Sequence, residues 1–154
     1  ALAVCLLEMR EFSSEDFAKY HPGGSLGKRL YLRVDSLVDR NLRPSVSPND
    51  TIHDVIIEIS EKRLGTTAVT ENDEVLGVIT DGDIRRMLKN NKNFEGLQAK
   101  DIMTKNPKTI SSDALAVAAL DLMETHQITQ LVVLNASKYI GMVHLHDLLK
   151  EGII

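Results

Sequence analysis

The sequence is short of three things, and each shortage excludes a class of function. It has a single cysteine, Cys5, among 154 residues, so no disulfide framework is available and a reducing, cytoplasmic compartment is expected. It has no basic excess, since 18 Lys and Arg stand against 22 Asp and Glu for a formal charge of −4. Phosphate polymers and anionic membranes are held by concentrated cations, so neither nucleic acid nor a membrane surface is an expected partner. It also has no apolar run of the length that spans a bilayer. What remains is the composition of an ordinary soluble domain, 43% hydrophobic, in which Cys5 reads as a small core hydrophobe.

The opening Ala1-Leu2-Ala3-Val4-Cys5-Leu6-Leu7-Glu8-Met9-Arg10 has no initiating Met, basic n-region or small-residue cleavage site, so it does not read as a signal peptide. Its apolar residues would surround a helix almost completely, the pattern of a segment buried on several sides. The expectation is that an upstream domain precedes it.

The chain repeats itself without gaps at an offset of 64 residues. Gly77 falls on Gly141, Asp83 on Asp147, Val69 on Val133, Ile59 on Met123, Val46 on Ile110 and Val38 on Ile102. Turns and apolar positions hold register together, which marks two copies of one unit. The division expected is a leading segment over 1–35, a first copy over 36–90, a polar linker over 91–99 and a second copy over 100–154.

Each copy reads as β-α-β-β-α. In the first, a short extended segment at Val46 precedes the turn Pro48-Asn49-Asp50, whose side chains cap a helix from about Thr51 to Arg63. Ile52, Val55, Ile56 and Ile59 form its apolar stripe, and Gly65 suits the left-handed position that closes it. Strands at Thr66 to Thr70 and Val75 to Thr80 follow as a hairpin, then a helix from about Gly82 to Lys89 burying Ile84, Met87 and Leu88. The second copy places its helices at about Asp113 to Thr125 and Leu145 to Lys150, and its strands at Gln130 to Leu134 and Tyr139 to His144. Units of ~55 residues are marginal alone, so the expected architecture is α+β, with two sheets packed together about a pseudo-twofold axis.

The chemical signal sits where the last strand of each copy hands over to a helix, in Gly77-Val78-Ile79-Thr80-Asp81-Gly82-Asp83 and Gly141-Met142-Val143-His144-Leu145-His146-Asp147. Free N–H groups at a helix start stabilise an anion, and an adjacent carboxylate accepts hydrogen bonds from a vicinal diol. Thr80 and Asp83 are therefore candidates for phosphate and sugar. Spacing alone favours another role, a capping pair, and both roles are compatible. His144, His146 and Asp147 suggest a metal site, but the strand ends between the histidines and no further ligand is near, so no metal is expected. His144 reads instead as a titratable lining.

This G-x-x-T-x-x-D signature, in tandem and in β-α-β-β-α order, resembles a CBS domain pair, a regulatory module that binds adenosyl and other nucleotides between its copies. The resemblance covers about residues 36–152. It implies that Thr80 and Asp83 serve phosphate and ribose in the first copy and Asp147 the ribose in the second, where His144 stands in place of the usual Thr or Ser. It further implies a base pocket from Ser45 and Val46, Thr66 and Thr67, Thr109 and Ile110, and Gln130, with Asp101 at the cleft mouth; the alternative role of Asp101 is capping a short turn.

A second resemblance rests on Glu15-Asp16-Phe17-Ala18, on His21-Pro22-Gly23-Gly24-Ser25-Leu26-Gly27-Lys28-Arg29-Leu30, on Asp81-Gly82-Asp83-Ile84-Arg85-Arg86 and on His144-Leu145-His146-Asp147-Leu148-Leu149. These look like the join between sugar isomerase domain and CBS pair in bacterial arabinose 5-phosphate isomerases. The resemblance makes His21 the catalytic candidate, an imidazole exchanging enediol protons together with residues of an upstream isomerase domain, so the chain alone is expected to be inactive. Lys28, Arg29 and Arg33 read as a solvated face.

The resemblances imply a homo-oligomer with no required cofactor, whose partner is a small-molecule nucleotide or nucleotide sugar: CMP-Kdo, as end product of the Kdo pathway, or AMP or ATP. The competing reading is a ligand-free module that assembles isomerase subunits.

Overall fold

The computed structural model describes residues 25–38, 42–90 and 94–153; the expected opening helix, Cys5 and His21 lie outside them. The chain runs α1 (Ser25–Tyr31), a 3-10 turn (Val34–Ser36), β1 (Ser45–Val46), α2 (Ile52–Lys62), β2 (Thr66–Glu71), β3 (Glu74–Thr80) and α3 (Asp81–Asn90). It continues through α4 (Ala99–Ile102), β4 (Thr104–Lys105), β5 (Thr109–Ser111), α5 (Ala116–His126), β6 (Gln130–Asn135), β7 (Lys138–His144) and α6 (Leu145–Lys150). No described helix is long and apolar enough to cross a membrane.

Local chemistry accounts for the elements. Thr51, rather than the preceding Pro48-Asn49-Asp50, caps α2: its Oγ1 accepts from the Asp54 N–H at 3.3 Å, and the Asp54 carboxylate accepts from the Thr51 N–H at 3.2 Å. Asp50 instead closes its own turn by accepting from the Ser47 N–H at 2.7 Å. The left-handed residue ending α2 is Arg63, φ +56°, which donates its N–H to the Ile59 carbonyl; Gly65 comes two residues too late for that role. Gln127, φ +53°, ends α5 in the same way. Both hairpins turn on two residues of positive φ, Asn72-Asp73 and Ala136-Ser137, the backbone that matches strand twist. Both carry a register shift at equivalent places, between Val69 and Thr70 and between Val133 and Leu134.

The strands form two sheets, β1-β2-β3-β4 and β5-β6-β7, in which β1 and β5 run parallel to their neighbours and the hairpins are antiparallel. Alternation sorts the side chains. Val69 and Ile79 face α2, while Ala68 and Val78 face the other sheet; Val133 and Val143 face α5 and α6, while Val132 and Met142 turn back toward Ala68. The sheets thus meet face to face with helices outside. Tyr139, 1% exposed, bridges them by donating its hydroxyl to the Pro44 carbonyl at 2.7 Å and its N–H to the Asp73 carbonyl at 2.9 Å. Arg43 lies over its ring, 4.8 Å from the centroid, and pairs with Asp73 at 2.8 Å.

The copies also exchange their leading segments. Val34 and Val38 lie in the core of the second copy, while Ala99, Ile102 and Met103 pack on the core of the first. Gly141, φ +152°, makes room for this: a Cβ there would lie 2.5 Å from Val38 Cγ1. The exchange delays α5, which begins at Ala116 rather than Asp113. Val34 donates to the Ala114 carbonyl, Asp35 to that of Ser112, and Ala116 to that of Leu32, so this backbone is committed to strand-like pairing. The apolar stripes are narrower than expected, because Ile56 and Leu88 are exposed.

Candidate functional site

The two copies enclose a cleft of about 310 Å³ between β3, the start of α3 and the face of β6 and β7. Thr66, Thr80 and Asp83 line it from the first copy, Gln130 and Met142 from the second, and Asn106, Pro107 and Lys108 from the connection between them. Val78, Ile128, Leu131 and Val132 make its apolar wall. This is the composition of a small-molecule site, apolar walls with a few convergent polar groups.

Thr80 and Asp83 form a reciprocal cap on α3. Asp83 Oδ2 accepts from the Thr80 N–H at 2.8 Å and from the Thr80 hydroxyl at 2.7 Å, and the Asp83 N–H donates to Thr80 Oγ1 at 3.3 Å. Asp83 Oδ1 accepts from Arg86 Nη2 at 2.6 Å and from the Thr104 hydroxyl at 3.3 Å. Burial raises the Asp83 pKa, but the bonds from Thr80 and the Arg86 guanidinium outweigh it, so the carboxyl lies below its ordinary range.

The equivalent junction of the second copy is built differently. His144 caps α6 through Nδ1, which accepts from the His146 N–H at 3.0 Å, and Asp147 accepts from the His144 N–H at 2.9 Å. Burial lowers the His144 pKa, with the neighbouring His146 adding to the effect. A neutral ring is what the cap requires, since Nδ1 must offer a lone pair. The two rings lie 4.7 Å apart and tilted by 59°.

Of the residues singled out from the sequence, Thr66, Thr80, Asp83 and Gln130 converge on the cleft. The Gln130 side chain reaches across the copies and donates to the Leu64 carbonyl at 3.1 Å. Val46 and Ile110 point into the helix-covered cores, and Thr67 is fully buried. Asp101 caps α4, accepting from the Gln98 N–H at 2.8 Å. His144 and Asp147 lie at the second junction, away from this cleft. Arg86, Thr104 and Lys108 were not anticipated. Arg86 alone had a local signal, its place one helical turn beyond Asp83; Thr104 and Lys108 arrive through the exchanged connection.

The family model for the CBS domain matches residues 34–90 and 99–153. The chain belongs to the CBS domain family. Among curated relatives, the arabinose 5-phosphate isomerase KdsD of Francisella tularensis is 45% identical over 153 residues, covering 97% of this chain and 46% of that protein. KdsD of Escherichia coli K12 is 37% identical over 156 residues, covering 100% of this chain and 48% of that protein. The chain spans about half the length of the curated relatives it matches. Among solved structures, a CBS domain protein from Pyrobaculum aerophilum complexed with AMP aligns with a TM-score of 0.67 at 25% identity, covering 76% of this chain and 90% of that one. A second CBS domain structure aligns at 0.70 with 21% identity, covering 79% of this chain and 98% of that one, and shares the fold.

Proposed function

We propose that this CBS pair is the effector-sensing part of an arabinose 5-phosphate isomerase, which interconverts D-ribulose 5-phosphate and D-arabinose 5-phosphate for Kdo synthesis. The observation that carries the reading is the cleft between the copies, where a helix start, the Thr80-Asp83 pair, two cations and an apolar wall converge. These are complementary to phosphate, diol and base. The identity of 37% to 45% with KdsD proteins over nearly the whole chain supports the choice of parent enzyme, and the AMP complex of the Pyrobaculum protein supports a nucleotide ligand.

In this reading an upstream isomerase domain supplies the reaction, with His21 entering its active site. The protein works in the cytoplasm as a homo-oligomer. An effector such as CMP-Kdo, AMP or ATP shifts the enzyme by the difference in its affinity for two states. The test is calorimetric titration of this chain with CMP-Kdo, AMP and ATP; silence from all three overturns the sensor. The cap made by Thr80 and Asp83, complete without a ligand, favours a second reading as a ligand-free assembly module. That reading predicts a sedimentation profile unchanged by any of the three compounds.

A further inference from the structure

We propose that Arg86 and the effector compete for Asp83: the Arg86 guanidinium holds the acceptor that a ligand diol requires, and once displaced it pairs with the ligand's phosphate. The inference rests on the nucleotide reading above and specifies how that site selects its ligand. A carboxylate offers about four lone-pair positions. Those of Asp83 all have donors, with Thr80 giving two bonds to Oδ2 and Arg86 and Thr104 one each to Oδ1. A diol can enter only by replacing one of them.

The donors differ in how easily they leave. The Thr80 bonds hold the start of α3 and are tied to the backbone. The Arg86 side chain is 69% exposed while that of Asp83 is 8% exposed, so the guanidinium is free to swing without disturbing the core.

Exchange of a guanidinium for a hydroxyl conserves the number of hydrogen bonds but strands a cation. A neutral nucleoside leaves that cation unpaired, whereas a nucleotide supplies it with a phosphate, for which an arginine fork is well shaped. Arg86 therefore discriminates against unphosphorylated ligands and in favour of phosphorylated ones.

The experiment is calorimetry on the unaltered chain and on Arg86→Met with AMP, CMP, adenosine and cytidine. In the variant, nucleosides tighten by about three- to fivefold, the scale of a partly exposed ion pair. Nucleotides weaken, so that the ratio of nucleotide to nucleoside affinity falls by about tenfold or more, as expected when a charged hydrogen bond to phosphate is lost. Added salt tightens nucleoside binding to the unaltered chain by screening the pair, and has no such effect on Arg86→Met. Thr104→Val frees the same Oδ1 without changing charge, so a diol enters with Arg86 still in place; nucleosides tighten more than nucleotides, and the ratio falls. Equal weakening of both ligand types by Arg86→Met, or no change in either, overturns the competition while nucleotide binding stands. No binding of any ligand to either protein overturns the nucleotide reading and the competition with it.

Discussion

The β3–α3 and β7–α6 junctions occupy equivalent places in the repeat and differ in what holds them. At the first, Asp83 collects four donors, one from a charged side chain and one from the exchanged connection. At the second, Asp147 accepts from the His144 N–H, and an imidazole replaces the threonine hydroxyl as the cap. The same backbone turn therefore carries a charged carboxylate–guanidinium cluster in one copy and a neutral imidazole cap in the other. Repeated folds diverge in this way because the turn needs only a cap acceptor and a carboxylate three residues on, while the rest of the junction is free to change.

The largest test of this asymmetry lies just upstream, at the paired glycines. Gly141→Ala combines positive φ with the Val38 contact and should cost about 3 kcal/mol. In Gly77→Ala a Cβ would lie 2.7 Å from the Thr104 carbonyl oxygen and 2.9 Å from Met103 Sδ, and the short edge strand β4 can give way, so about 2 kcal/mol is expected. Denaturant midpoints measure both, and equal losses would remove the distinction.

Next come the carboxylates. Asp83→Ala should destabilise by about 2 kcal/mol, because it strips donors from a nearly buried site, and Asp147→Ala by about 1 kcal/mol, the scale of one cap. A reversed order would mean that the bonds at Asp83 are offset by its desolvation.

The pH profiles separate the junctions further. The lowered pKa of His144 means that its contribution is complete above the unfolded value of about 6.5 and declines as the pH falls below it. The Asp83 pKa is lowered too, so its contribution is complete above about 3.9 and is lost as the pH drops through the folded value. His144→Thr, which gives the second junction the cap of the first, should remove the decline below about pH 6.5 and leave the acid limb intact. That decline is expected to be under about 1 kcal/mol. Smallest is Lys28→Ala, which removes the 2.8 Å pair with Glu151 that ties α1 to the second copy. Both partners are partly exposed, so the loss should stay below about 0.5 kcal/mol.

Much of the fold was legible because each strand alternates and each helix keeps its spacing. The hairpins, α2 and α6 lie within a residue or two of where the pattern of Val69, Ile79, Val55 and Leu148 places them. The start of α5 was not legible, since Asp113 precedes a good helical run and only the pairing of residues 112–116 with residues 32–35 withholds that turn. Thr80 and Asp83 stood out because the spacing that makes a cap is also the spacing expected of a ligand group. Lys108 did not, because nothing near it in the chain says that it will line the cleft.

Residue order alone settled the duplicated unit, its hairpins and the Thr80-Asp83 cap, because those depend on contacts between neighbours along the chain. Tertiary packing decided the exchange of leading segments, the burial of Tyr139 between sheets, the Thr104 bond to Asp83 and the arrival of Lys108 in the same cleft. These contacts join residues far apart in sequence, and their energy depends on how two curved sheets meet, which no local pattern encodes.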